Sequence, residues 1–202
     1  MIYGKEIVVV LAAYVLGCIS TGYYLTRLRT GKDIRRTGSG STGARNVSRL
    51  LGKRWFAVTL ALDAARGAAA AGLALFMGVD EWVVAVSVLG VVAGHIWPAQ
   101  LGFRGGKGVS VLLGGLVVLN YHLLLAAAIV SGVLYFLSRR YIVSGMIGIA
   151  TLPVAAAFLD FGPRGISAVV LLAAVVLFAH RSNIYGAVQE QRAKAGADFG
   201  SH

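Results

Sequence analysis

Two stretches of the chain set basic residues among glycines: Gly38-Ser-Gly-Ser-Thr-Gly-Ala-Arg-Asn46 and Gly94-His-Ile-Trp-Pro-Ala-Gln-Leu-Gly-Phe-Arg-Gly-Gly-Lys-Gly108. Glycine lets backbone N–H groups close round an anion, and a nearby Arg or Lys supplies the opposing charge, so both stretches read as cradles for phosphorylated ligands. Gly38, Gly40 and Gly43 have the spacing of a dinucleotide-binding turn. What precedes them is a basic loop with Arg35 and Arg36 rather than a strand, which favours a local anion nest. Thr42 is placed to cap a short helix running toward Leu51 and ended by Gly52, with Arg45 and Arg49 one turn apart on a face. The stretch from Gly102 to Gly108 lacks the spacing of a nucleotide-hydrolysing loop and the Ser or Thr after Lys107, so Lys107 reads as a phosphate ligand without nucleotide hydrolysis.

Histidines supply the remaining candidates for chemistry. His95 stands near the end of an apolar run, beside Pro98, and reads equally as a core histidine or an active-site group. His180 follows the last apolar run, with Asn183 three residues on and on the same face if the helix continues. Asp63 and Arg66 share a helix face within an apolar run, where pairing would offset the cost of burying charge. Asn120, Tyr121 and His122 form a turn and carry no expected chemistry. No His is followed four residues later by Asp, and neither G-x-S-x-G nor H-E-x-x-H occurs, so neither a protein nucleophile nor a catalytic metal is expected. The single cysteine, Cys18, leaves no intramolecular disulfide to form.

These residues must be held by membrane helices. The chain has 202 residues, 57% of them hydrophobic, and a mean hydropathy of +0.77; soluble domains are usually about 45 to 50% apolar. The net charge of +11 raises nucleic acid as a partner. The basic residues lie in short loops between apolar runs, however, where they orient a membrane chain and meet anionic headgroups, so no nucleic acid is expected. Apolar runs fall at Ile7 to Leu28, Trp55 to Met77, Val83 to Leu101, Val109 to Leu137, Ile142 to Leu159 and Gly165 to Ala179. The fourth is too long for one span and is interrupted at Asn120, so it is read as two short spans.

The expected fold is an all-α membrane protein of seven transmembrane helices, two of them short within Val109 to Leu137, forming one domain over residues 1–202. With the N-terminus outside and the C-terminus cytoplasmic, sixteen of the nineteen basic residues fall on the inner side, including Arg139, Arg140, Arg181, Arg192 and Lys194. Both glycine-rich stretches then share the cytoplasmic face. Trp55, Trp82 and Trp97 land at span ends, as interfacial aromatics do. Residues Gln191 to His202 read as a polar, frayed tail.

Over most of its length the chain resembles the bacterial acyl-phosphate:glycerol-3-phosphate acyltransferases, the PlsY family. The resemblance is carried by Ile19-Ser-Thr-Gly-Tyr-Tyr-Leu25, the stretch from Gly38 to Arg49, Leu62-Asp-Ala-Ala-Arg-Gly67, the stretch from Gly94 to Gly108, and His180-Arg-Ser-Asn-Ile184. It implies a seven-span enzyme of the bacterial inner membrane with its site at the cytoplasmic face. The implied reaction moves a fatty acyl group from acyl phosphate to the sn-1 hydroxyl of glycerol 3-phosphate, giving lysophosphatidic acid, with no cofactor, no metal and no obligate protein partner. It implies that Ser39, Gly40, Arg45, Asn46, Gly105, Gly106 and Lys107 hold the two phosphates and that His180 and Asn183 line the reaction centre; Arg49, Ser144 and Arg104 join them as candidates, and His95 as a catalytic one. The chain departs from the family pattern at Ser41, usually Asn; at Arg45, usually small and polar; at Arg66, usually Lys; and at Val143, usually Ser with Ser144 beside it. His180, His95 or a substrate phosphate is the expected proton acceptor. A transporter or flippase of a phosphorylated solute, or a paralogue acylating another polyol phosphate, are the alternatives.

Overall fold

The computed structural model describes residues 4–187 and 189. The tail from Gln191 to His202, with Arg192 and Lys194, lies outside the described residues. Among the described residues the helices in order are α1 (Gly4–Cys18), α2 (Thr21–Thr30), α3 (Ala44–Leu51), α4 (Lys53–Phe76), α5 (Glu81–Ile96), α6 (Val109–Leu119), α7 (Tyr121–Ser138), α8 (Tyr141–Ala150), α9 (Leu152–Phe158) and α10 (Gly162–Ala179), and residues 181–187 beyond α10 are also helical. Among the described residues there is no β-strand. Among the described residues six helical stretches are long and apolar enough to cross a membrane: Gly4–Thr30, Lys53–Phe76, Glu81–Leu101, Tyr121–Ser138, Tyr141–Phe158 and Gly162–Ala179.

The interruption at Asn120 falls where the sequence places it, because the Asn120 side chain accepts a hydrogen bond from the His122 N–H and caps α7. The two halves are not both short, however. Helix α6 has 11 residues but α7 has 18, a full span, so only α6 is short.

Small residues set the packing. Added Cβ atoms at Gly67 of α4 and Gly114 of α6 would strike the Val111 and Ala64 carbonyls of the opposing helix, so the two backbones approach to contact. Gly17 of α1 and Gly94 of α5 make the same kind of contact. Lipid gives helices no hydrophobic reason to associate, so close backbone approach of this kind holds membrane helices together. The buried centre is then filled by Val83, Val84, Val88, Val91 and Val92 of α5 and Leu112 and Leu116 of α6.

Helix α1 stops at Cys18, and its last carbonyls need donors. Arg66 Nη1 donates to the Gly17 carbonyl at 2.9 Å while Nη2 donates to the Asp63 carboxylate, and Gln100 donates to the Cys18 carbonyl. Asp63 therefore neutralises the cation that closes the α1 terminus, which gives the charged pair of the second span a structural task. The Tyr14 hydroxyl donates to the Trp97 carbonyl at 2.9 Å, fixing α1 to the chain just beyond α5.

Gly114→Val is expected to lower the thermal unfolding temperature in detergent by about 5 to 10 °C, the cost of overpacking one helix contact. Gly72→Ala, where an added Cβ meets nothing within 4 Å, is expected to leave it level or raise it.

Candidate active site

A cavity of about 750 Å³ opens among α3, α4, α6, α7 and α8 and the end of α10. Its two ends differ chemically. One is lined by Ser39, Arg45, Arg49, Lys107, His180 and Asn183, the other by Leu112, Leu116, Leu124, Ala127, Met146 and Leu152. A ligand that fills it must carry anionic groups at one end and hydrocarbon at the other.

The cationic end is made by the two glycine-rich stretches. The Thr42 N–H donates to the Gly105 carbonyl at 3.3 Å and ties one to the other. Thr42 is therefore not the cap of α3: Gly43 takes that position, and the Thr42 hydroxyl is buried with no hydrogen-bond partner among the described residues. Gly43, Ala44 and Arg45 at the start of α3 line the cavity, as do Gly108, Val109 and Ser110 at the start of α6. Both helix N-termini, with the positive ends of their dipoles, thus border the same space.

Asn46 shapes the first stretch from within. Its Nδ2 donates to the carbonyls of Ile34 (3.3 Å), Thr37 (3.0 Å) and Ser41 (2.9 Å), and its Oδ1 accepts from the Ser39 N–H at 3.0 Å. Both N–H donors are committed to the loop, so this side chain, which also lines the cavity, holds the shape of the loop. Arg35 is likewise spent on structure, paired with Asp33 at 2.8 Å and donating to the Leu101 carbonyl at 2.6 Å. That pairing holds the Asp33 carboxyl below its usual range.

The second stretch folds back on α5. The Gly106 N–H donates to the His95 carbonyl at 2.9 Å, and a Cβ on Gly106 would strike the His95 ring, so only glycine lets the loop lie on that histidine. His95 lines the cavity and is 3% exposed. Lys107 donates from Nζ to the Asn183 side-chain amide oxygen Oδ1, joining the loop to the segment after α10. Burial pushes Lys107 below its usual pKa, and Arg181, Arg45 and Arg49 add to this. An ammonium hemmed in by cations, with no carboxylate partner among the described residues, gains from an arriving anion.

His180 caps α10 and lies 2.9 Å from the Val176 carbonyl through Nδ1. A carbonyl can only accept, so Nδ1 carries the proton and Nε2 keeps its lone pair. Burial pushes the His180 pKa below its usual value, the Val176 carbonyl opposes the shift, and the Lys107 charge adds to it.

Ser39, Arg45, Asn46, Arg49, Lys107, His95, His180 and Asn183 line this cavity together. Gly40, Arg104, Gly105 and Gly106 line a smaller one of about 210 Å³, which shares Ser39, Ser41 and Lys107 with the first and also includes Arg181. Ser144 is placed elsewhere: its hydroxyl pairs with Ser138 at 3.3 Å and lines a separate cavity. Tyr141, Phe56 and the whole apolar wall also line the cavity, and no motif in the sequence marks them. The only signal for that wall is its small residues, Ala127, Ala128, Ser131 and Gly145, whose significance depends on which helices face each other. Among the described residues no His, Cys, Asp and Glu side chains cluster as a metal-ligand set.

The fold and this cavity define an integral membrane protein built round an amphipathic-ligand site. The model of the glycerol-3-phosphate acyltransferase family matches residues 7–190. Glycerol-3-phosphate acyltransferase 1 of Desulfitobacterium hafniense is 41% identical over 179 residues, 89% of each chain. The glycerol-3-phosphate acyltransferase of Clostridioides difficile is 36% identical over 88% of this chain and 89% of its own. Among solved structures, the glycerol 3-phosphate form of PlsY, an integral membrane glycerol 3-phosphate acyltransferase, superposes with a TM-score of 0.84 at 29% identity, covering 93% of this chain and 94% of that one. Its lysophosphatidic acid form gives 0.81 at 27%. The chain belongs to the glycerol-3-phosphate acyltransferase family.

Because the folded-state pKa of His180 is depressed, its contribution to stability is present above the ordinary histidine pKa of about 6.5 and is lost as pH falls through the lower folded value. The unfolding temperature in detergent is expected to fall as pH is lowered from about 7 through the ordinary histidine value, and His180→Gln to flatten that fall.

Proposed function

We propose that this chain transfers a fatty acyl group from acyl phosphate to the sn-1 hydroxyl of glycerol 3-phosphate, releasing 1-acyl-glycerol 3-phosphate (lysophosphatidic acid) and inorganic phosphate. The observation that carries the proposal is the single cavity with a cationic end and a hydrocarbon end. Acyl phosphate has this chemistry, and so does the product. The solved PlsY in its glycerol 3-phosphate and lysophosphatidic acid forms supports the same pair of ligands. We further propose one domain with seven membrane segments, α6 among them, in a bacterial inner membrane. The N-terminus is outside, and the C-terminus and the site are on the cytoplasmic side, where basic residues gather.

In this reading the protein aligns two anionic substrates and offsets their repulsion, about 4 kcal/mol for unit charges about 4 Å apart at an effective dielectric near 20. Arg45, Arg49, Lys107 and the N-termini of α3 and α6 do this, with Ser39 beside them; the N–H groups of Gly40, Gly105 and Gly106, expected to cradle phosphate, donate instead to the Thr37, Ile96 and His95 carbonyls, so these glycines shape the loops. The glycerol hydroxyl oxygen attacks the acyl carbonyl carbon, the carbon–oxygen bond to phosphate breaks, and its electron pair leaves with phosphate. The departing phosphate becomes more basic as its bond breaks, and the hydroxyl proton goes to it. His180 Nε2, an acceptor, orients the hydroxyls of the glycerol beside Asn183, and His95 packs beneath the second loop. The acyl tail lies along α6, α7 and α8.

Purified protein in detergent, given palmitoyl phosphate, is expected to acylate glycerol 3-phosphate in preference to other polyol phosphates. Lys107→Ala should lower kcat/KM by about a hundredfold or more, and His180→Gln should lower kcat by about a hundredfold at most. A loss near ten-thousandfold would make His180 the base. Counterflow of phosphate esters in liposomes without any acyl product would replace the enzyme with a carrier.

A further inference from the structure

The cations round the larger cavity are held differently. Lys107 is bonded to Asn183. Arg45 makes no side-chain hydrogen bond or ion pair among the described residues; instead its guanidinium carbon sits 4.4 Å from the centre of the Tyr141 ring. Arg45 stands on α3, which packs on α4 and α2, while Tyr141 begins α8, which packs on α7, α9 and α10. The stack therefore reaches across the cavity from one group of helices to the other, and both residues line it. Tyr141 is 51% exposed, and its hydroxyl makes no hydrogen bond among the described residues, so the ring face is what the contact uses.

Stacking occupies the face of a guanidinium and leaves its N–H donors free at the edge, where a phosphate binds in bidentate fashion. It also restricts a long side chain that would otherwise lose its rotamer freedom on meeting a ligand. We propose that Tyr141 is a positioning residue that holds Arg45 across the cavity, so that the phosphate of a lipid-tailed donor meets a cation already in place. This rests on the reading of the cavity as a site for acyl phosphate.

The test is a double-mutant cycle read by binding of dodecyl phosphate, which carries the tail and the phosphate but cannot transfer an acyl group, to the full chain in phosphatidylcholine nanodiscs. Tyr141→Leu is expected to raise Kd about tenfold, while Tyr141→Phe and Tyr141→Trp stay within about twofold of the parent. Combining Tyr141→Leu with Arg45→Ala is expected to be no weaker than Arg45→Ala alone. In turnover, Tyr141→Leu should raise KM for acyl phosphate by a similar factor and leave kcat within about twofold. Losses that multiply in the double variant, a Kd unmoved by Tyr141→Leu, or a Tyr141→Phe variant as weak as Tyr141→Leu would each overturn the proposal. Lack of turnover by the parent would sink the acyltransferase reading and leave the binding cycle to decide the role of Tyr141.

Discussion

A peptide group left unpaired in hydrocarbon costs several kcal/mol, so a membrane chain can interrupt its helices only where something else meets the broken ends. This protein gathers its interruptions. Helix α1 ends at Cys18 against Arg66 and Gln100, and α5 ends where Tyr14 meets the Trp97 carbonyl. The second glycine-rich stretch then returns its Gly105 and Gly106 N–H groups to the Ile96 and His95 carbonyls. The cationic end of the cavity is built on these repaired ends, which is how irregular backbone and polar side chains come to lie beside an apolar wall.

The division of labour among the basic residues follows from partners rather than from residue type. Arg66 and Arg35 each have a carboxylate and a carbonyl within reach and serve the frame. Arg45, Arg49 and Lys107 have no carboxylate partner among the described residues and share one cavity. Charge of one sign brought together in this way is a standing electrostatic cost, relieved when anions arrive.

Much of this was legible in the chain. The apolar runs gave the helices, and the glycine spacing with Arg45, Arg49 and Lys107 pointed to an anion site, because local pattern and composition carry both signals. Three things were not. Asn46 looks like a ligand in the sequence, and only the folded loop shows its amide turned inward to three carbonyls. Thr42 has the residue type of a cap, but its backbone is engaged by Gly105, 63 positions along the chain. The hydrocarbon wall is composed of residues no different from any others facing lipid, so its position depends on helix packing alone.

Helix α6 carries a last consequence. Eleven residues at about 1.5 Å each reach only about 16 Å, roughly half of a hydrocarbon layer near 30 Å. The glycine-rich chain leads directly into α6, with Lys107 two residues before the helix begins. Under the proposed acyl transfer, so short a helix lets a soluble polyol phosphate meet the fatty chain below the headgroup plane, without that chain rising out of the leaflet.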